Sequence, residues 1–420
     1  MFGVPGRSRL LPMSVPFRYF GSAIAFQVLA WALLLFQTQD LADYQAGLGP
    51  LFATLHVMTL GVLTMTAVGA TLQLFPVATR QAVRSVGIAR LVWWLLTPGV
   101  LIFAAGAAPY RPLALGSGAA IVVVALALYA WLFFRTLKGA RGMPVIVAHG
   151  WGALAALLGA LAIGCALAGG YVRGFALDYA ALRPAHMILA TYGFMGLLAM
   201  GLSQLLLPMF AVAPPPRARI AYVALSGAAA GIAAAAAGFI AVGAMLGLAA
   251  ASLHVFSLEC SLRARLRHAL DPGFLLVRAA WACLLASLVV GAGLAFDLLP
   301  PHAAALFGVL LVPGWLLTFL LGVLQRIVPF LASVHASSAA RGTPLASAMT
   351  PGALLQAHRI LHLAALAALI AGVAAGESVL VRAGAAAGLA GALAYAAFFA
   401  FVLFKVRHHG TASRHQPASA

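Results

Sequence analysis

Apolar residues run in long blocks along this chain, and polar residues gather in the short gaps between them. Twelve blocks stand out, at about 17–37, 50–75, 88–107, 113–135, 145–170, 184–210, 218–236, 239–262, 273–296, 303–331, 353–374 and 380–405. Each has about 20 residues or more, enough to cross a hydrocarbon core of about 30 Å at about 1.5 Å per residue. The pattern predicts an all-α polytopic membrane protein with twelve transmembrane helices. The stretch 218–260 is nearly continuous and is read as two helices that part near 237.

A finer pattern lies inside the second, sixth and tenth blocks. Gly61, Gly69 and Pro76 follow G-x7-G-x6-P, as do Gly193, Gly201 and Pro208, and again Gly314, Gly322 and Pro329. Each copy carries a glutamine just ahead of its proline: Gln73, Gln204 and Gln325. Pro16, Pro144 and Pro272 lie 128 residues apart, each opening an apolar block. The chain therefore reads as one membrane domain, 1–420, made of three four-helix repeats (16–143, 144–271 and 272–408) with a polar cytoplasmic tail, 409–420. An even number of helices per repeat makes the copies parallel, about a pseudo-threefold axis along the membrane normal. Glycines eight apart on an α-helix fall about 80° past two full turns, on nearly one face. Such a smooth strip admits either another helix or a flat ring. The prolines mark a kink or a helix end near the inner side.

Composition agrees with this picture. Residues are 64% hydrophobic and 8% charged, against about 25% charged in soluble domains. A net charge of +18 by itself suggests nucleic acid, but its placement excludes that partner. Apart from Arg111, Arg173, Arg183 and Arg382, every lysine and arginine falls at or near one side of the predicted membrane. Asp40, Asp43, Asp178, Asp297 and Glu377 fall on the other. This is the positive-inside pattern, expected of a multi-pass protein of a bacterial cytoplasmic membrane with both termini inside and the lipid bilayer as its partner. The basic start, Arg7, Arg9 and Arg18, runs into a block of spanning length without a small-residue cleavage site, so this segment is expected to stay as a helix. Cys165, Cys260 and Cys283 are scattered, which points to neither a disulfide framework nor a zinc site.

Chemistry inside a membrane shows itself as polar side chains in apolar helices. The histidines fall in two layers. His56, His186 and His302 belong to the outer one; His149, His254, His358 and His362 belong to the inner one. His56 and His186 precede the first glycine of their copies by five and seven residues, so they are expected at similar depth, facing a common interior. Two imidazoles from different helices can hold a heme iron, with the glycine strip making room for the porphyrin and Arg183 pairing with a propionate. The competing reading is a pair of histidines hydrogen-bonded across helices without a cofactor. His302, at the outer edge, is a weaker metal candidate. His358 and His362, four apart, share a helical face at metal-ligand spacing; beside Arg359 at the inner boundary, a solvated or interfacial pair is the competing reading. His254 and Glu259 suggest a polar inner site. Met58 and Met65 read as packing rather than as copper ligands.

The run Leu55-His56-Val57-Met58-Thr59-Leu60-Gly61, continuing through Gly69 to Gln73-Leu74-Phe75-Pro76, resembles the second transmembrane helix of heme–copper oxidase subunit I relatives, oxygen and nitric oxide reductases included. It is similar in spacing to the H-x-M-x-x-G segment of the NnrS family, membrane heme proteins associated with nitric oxide stress. The resemblance implies twelve helices in three four-helix arcs, a b-type heme ligated by the second-helix histidine, here His56, and copper as a further metal. It implies respiratory redox chemistry, as a heme-dependent oxidoreductase of oxygen or nitric oxide or in metal handling, with a cytochrome or another respiratory subunit as partner. In this chain the tenth block has no histidine where the oxidases carry a His-x-His pair, and the seventh has none. Two other classes stay open: a cofactor-free transporter of a small solute, and an assembly or scaffold subunit whose ligand sites have decayed.

Overall fold

The computed structural model describes residues 11–39, 41, 44, 47–336 and 346–412. Arg7, Arg9, Asp40, Asp43 and most of the polar tail, discussed above, lie outside them. Twelve helices are long and apolar enough to cross a membrane. They are α1 (Ser14–Leu35), α2 (Pro50–Thr79), α3 (Val86–Ala107), α4 (Pro112–Lys138), α5 (Pro144–Arg173), α6 (Tyr179–Ala211), α7 (Ala218–Ala236), α8 (Ile240–Arg263), α9 (Gly273–Ala295), α10 (Ala303–Ala336), α11 (Gly352–Ala375) and α12 (Ser378–His408). The near-continuous stretch does part into α7 and α8, at Gly238 with φ +94°, a backbone conformation that suits glycine.

Local chemistry sets the ends. Pro50, Pro112 and Pro144 open α2, α4 and α5, where the missing N–H costs nothing. Ser85 and Asp178 accept from the backbone N–H groups of Ile88 and Ala181 and cap α3 and α6. Gly174 and Gly376, both at φ +71°, terminate α5 and α11. Past Pro76 and Pro208, α2 and α6 run only as far as Thr79 and Ala211.

Three helices form the centre. The most apolar windows of α2, α6 and α10 are 67, 78 and 72% buried, against 28–56% for the other nine. These are the three that carry the glycine-proline pattern. Each also contains an eight-residue π-helical stretch: Val57–Thr64, Leu189–Gly196 and Leu310–Leu317. The first glycine of the pattern is the fifth residue of each stretch. The π stretch of α10 touches those of α2 and α6.

Around this centre the same packing recurs. Helices α1, α5 and α9 lie against α2, α6 and α10, while α3/α4, α7/α8 and α11/α12 pair as outer hairpins. The pattern glycines set the first of these contacts. A Cβ on Gly61 would stand 2.6 Å from the Phe26 ring, and one on Gly69 2.7 Å from Tyr19 Cβ, both on α1. A Cβ on Gly193 or Gly201 would stand 2.6 Å from Cβ of Ala156 or His149, both on α5. For Gly314 and Gly322 the neighbours are Cys283 and Leu276 of α9, each at 3.1 Å. The strip therefore admits a helix, and its face is already filled by side chains. The expectation that it makes room for a porphyrin is corrected.

Candidate functional site

His56 is the seventh residue of α2 and His186 the eighth of α6, each less than one turn ahead of a π stretch. Both rings are held through Nδ1 by a backbone carbonyl: His56 by Phe52 O at 2.9 Å, one turn back, and His186 by Ala160 O at 2.9 Å, on α5. A carbonyl only accepts, so Nδ1 carries the hydrogen and Nε2 of the neutral ring keeps its lone pair. Phe52 and Phe103 pack on the His56 ring with centroids 4.1 and 5.1 Å away. Gly164 lets His186 lie close on α5, where a Cβ would come 3.0 Å from its Cε1. Both imidazoles are densely surrounded by protein and still keep accessible surface. The two are near enough to interact electrostatically.

Arg183 lies three residues outward of His186. Its Nε donates to Tyr171 Oη at 3.1 Å, and its guanidinium lies over the rings of Tyr179 and Tyr171 at 4.9 and 5.8 Å. Among the described residues, neither ion pair includes it. In the loop between α1 and α2, burial and the neighbouring Tyr171 push the Tyr44 phenol up to about 12, with Arg183 opposing. His302 is exposed ahead of Ala303. It does not complete a ligand cluster, because no three His, Cys, Asp or Glu side chains come together among the described residues.

The inner histidines are placed differently from expectation. His358 and His362 are 0 and 2% exposed, so the solvated or interfacial reading is corrected: α11 turns both rings onto α10 and α12. Glu259 is not joined to His254. Its carboxylate takes two hydrogen bonds from Arg278 of α9, at 2.7 and 3.0 Å. His254 instead meets α6. Ser203 Oγ donates to Met200 O and accepts from His254 Nε2 at 3.2 Å, while Gln204 Nε2 donates to His254 Nδ1 at 3.2 Å. Met58 and Met65 are buried packing residues.

Sequence reading missed Thr318, Tyr395 and the carbonyls of Ala160 and Gly391. Only the repeated glutamine gave a signal: Gln204 holds His254, and Gln325 accepts from Arg359 at 3.3 Å. An apolar groove of about 100 Å³, lined by Met187, Tyr192, Gly231, Gly243, Leu288 and Trp315 among others, lies beside the π stretches of α6 and α10. It offers no imidazole, thiol or carboxylate. The chain matches no protein-family model and no curated protein.

The donor types suit heme iron: His56 and His186 each offer an Nε2 lone pair, and Arg183, three residues from His186, would offer a cation to a propionate.

Proposed function

We propose that this chain is a heme-binding protein of a bacterial cytoplasmic membrane, distantly related to heme–copper oxidase subunit I. Its three four-helix units are related by a pseudo-threefold axis. His56 and His186 ligate the iron, and Arg183 pairs with a propionate. The observation that carries the reading is a pair of imidazoles near the starts of α2 and α6, each anchored through Nδ1 by a backbone carbonyl so that Nε2 keeps its lone pair. Anchoring by a carbonyl is what orients a ligating histidine and raises its basicity. The recurrence of the π stretch, the glycine contacts and the hairpins supports the repeat.

When bound, a heme with two imidazole ligands supplies one-electron transfer. The chain's own part is to hold the rings. Phe52 and Phe103 flank His56, Gly164 seats His186, and Tyr171 and Tyr179 fix the Arg183 side chain. This role makes a cytochrome or another respiratory subunit the natural redox partner.

The test is a visible spectrum of the detergent-purified protein, with iron quantified on the same sample. Sharp bands on reduction and stoichiometric iron are expected. His56→Ala and His186→Ala should each lose the low-spin bands, and added imidazole should restore them. A colourless, iron-free protein after expression with ample heme supply overturns the reading and leaves the transporter or scaffold classes. Bands unchanged in His56→Ala remove the ligand assignment.

A further inference from the structure

A second ligand site lies deeper in the bundle, at His358 and His362 on α11. Hydrogen bonding fixes the tautomer of both rings. His358 Nδ1 faces Gly391 O of α12 at 2.9 Å, so it donates, and Nε2 is the unprotonated nitrogen. Thr318 Oγ1 has one hydrogen, which it gives to Pro313 O at 2.7 Å. The same oxygen lies 2.7 Å from His362 Nε2, which therefore donates to it, leaving Nδ1 unprotonated. Both remaining lone pairs, His358 Nε2 and His362 Nδ1, are buried and meet no protein donor. Leaving an acceptor buried without a partner is costly, so two such nitrogens, one helical turn apart, are an unpartnered donor pair.

The spacing of the rings suits one shared ion. Metal–nitrogen bonds of about 2.0–2.1 Å place the centroids of two imidazoles on a common cation about 5–6.5 Å apart. The observed separation is 5.7 Å, with the planes 26° apart. Surrounding charge then selects the ion. The charged side chain that acts on His358 is Arg359, a cation, and no third His, Cys, Asp or Glu joins the pair among the described residues. A divalent ion would bring two uncompensated charges into an apolar interior. A univalent copper ion brings one, accepts low coordination and binds imidazole.

We propose that His358 Nε2 and His362 Nδ1 form a low-coordinate site for a single Cu(I) ion, with Thr318 as the positioning residue that fixes the His362 tautomer. The site is separate from the outer imidazole pair and stands or falls independently of heme.

The test uses the full-length protein in detergent under anaerobic conditions, with Cu(I) partitioned between the protein and a colorimetric chelator. One tightly held Cu(I) per chain is expected. His358→Gln and His362→Gln should each weaken it by about 100-fold or more, and Thr318→Val, which conserves shape, by about 10-fold. His268→Gln, at an exposed loop position, should leave it unchanged. Size-exclusion profiles of the glutamine variants report whether they fold, and Thr318→Val keeps the test decisive if they do not. Absence of chelator-resistant Cu(I), equal retention by the His358→Gln/His362→Gln double variant, or preferential uptake of Zn(II) alone overturns the proposal.

Discussion

Gly201 shows how one missing methyl group shapes this bundle. His149 Cβ occupies the space its Cβ would need, at 2.6 Å, and both belong to helices that cannot move apart without opening the centre. Gly201→Ala should therefore lower thermal stability in detergent by about 2 kcal/mol, within the range for overpacked cores. Gly308 in α10 has nothing within 4 Å of its Cβ position. Gly308→Ala should be neutral or slightly stabilising in the same measurement, since alanine is the better helix former. Two buried tyrosines make a similar contrast. Tyr129 Oη and Thr71 Oγ1 lie 2.9 Å apart, and Thr71 gives its own hydrogen to Ala67 O and Val68 O, so the phenol donates to it. Tyr395 Oη is buried without a protein partner. Thr71 and Ser203 stand two residues after the second pattern glycine and serve Tyr129 and His254; in the third copy that position is Leu324. Tyr129→Phe should cost about 1 kcal/mol of stability by thermal unfolding, and Tyr395→Phe close to nothing. A loss at Tyr395 equal to that at Tyr129 would contradict this account.

At the scale of one helix, the apolar blocks were legible and the winding within them was not. A straight α-helix leaves glycines eight apart about 80° out of line, yet both glycines of each copy face one and the same neighbouring helix. The π stretch supplies the difference. Its i→i+5 pattern turns about 80° per residue instead of about 100°, so half a spacing in π and half in α closes on about two full turns. Thr64 and Thr318 support this winding by donating to carbonyls five residues back, at 2.9 and 2.7 Å. No residue type announces a π stretch, which is why the pattern read as an approximate face rather than an aligned one. Removing one residue restores ordinary winding, and seven α-steps miss two turns by only about 20°. Deletion of Leu63 in α2 should therefore leave a monodisperse, folded protein by size exclusion. Deletion of Leu96, a fully buried residue in the α-helical α3, rotates everything beyond it by about 100° and should abolish folding. Equal failure of both deletions would remove the π stretch as the cause of the alignment.

The whole molecule inherits its order from a small set of signals: twelve blocks, three glycine patterns and a charge bias. These were enough for the span count. They could not give the acceptors that orient the rings, because Ala160 O and Gly391 O are backbone atoms brought close by packing of distant segments. Burial of His358 and His362 was misread for a related reason: Arg359 between them reads as a helix end, yet its guanidinium also turns inward, to Gln325 of α10, and both histidines are buried. Orientation in the membrane rests on charge alone, and it decides on which side the outer imidazole pair lies. The ends of α3/α4 and α5/α6 hold only Arg111, Arg173 and Arg183, whereas the α2/α3, α4/α5 and α8/α9 ends hold Arg80, Arg84, Lys138, Arg141, Arg263, Arg265 and Arg267. The positive-inside rule predicts that the second set faces the cytoplasm. Leu298, 76% exposed between α9 and α10, and Leu266, 82% exposed between α8 and α9, sit on opposite sides. With Cys165, Cys260 and Cys283 replaced by alanine, Leu298→Cys should react with a membrane-impermeant maleimide on spheroplasts, and Leu266→Cys only after permeabilisation. The reverse labelling would turn the bundle over and place His56 and His186 near the cytoplasm, where a redox partner would have to approach from within the cell.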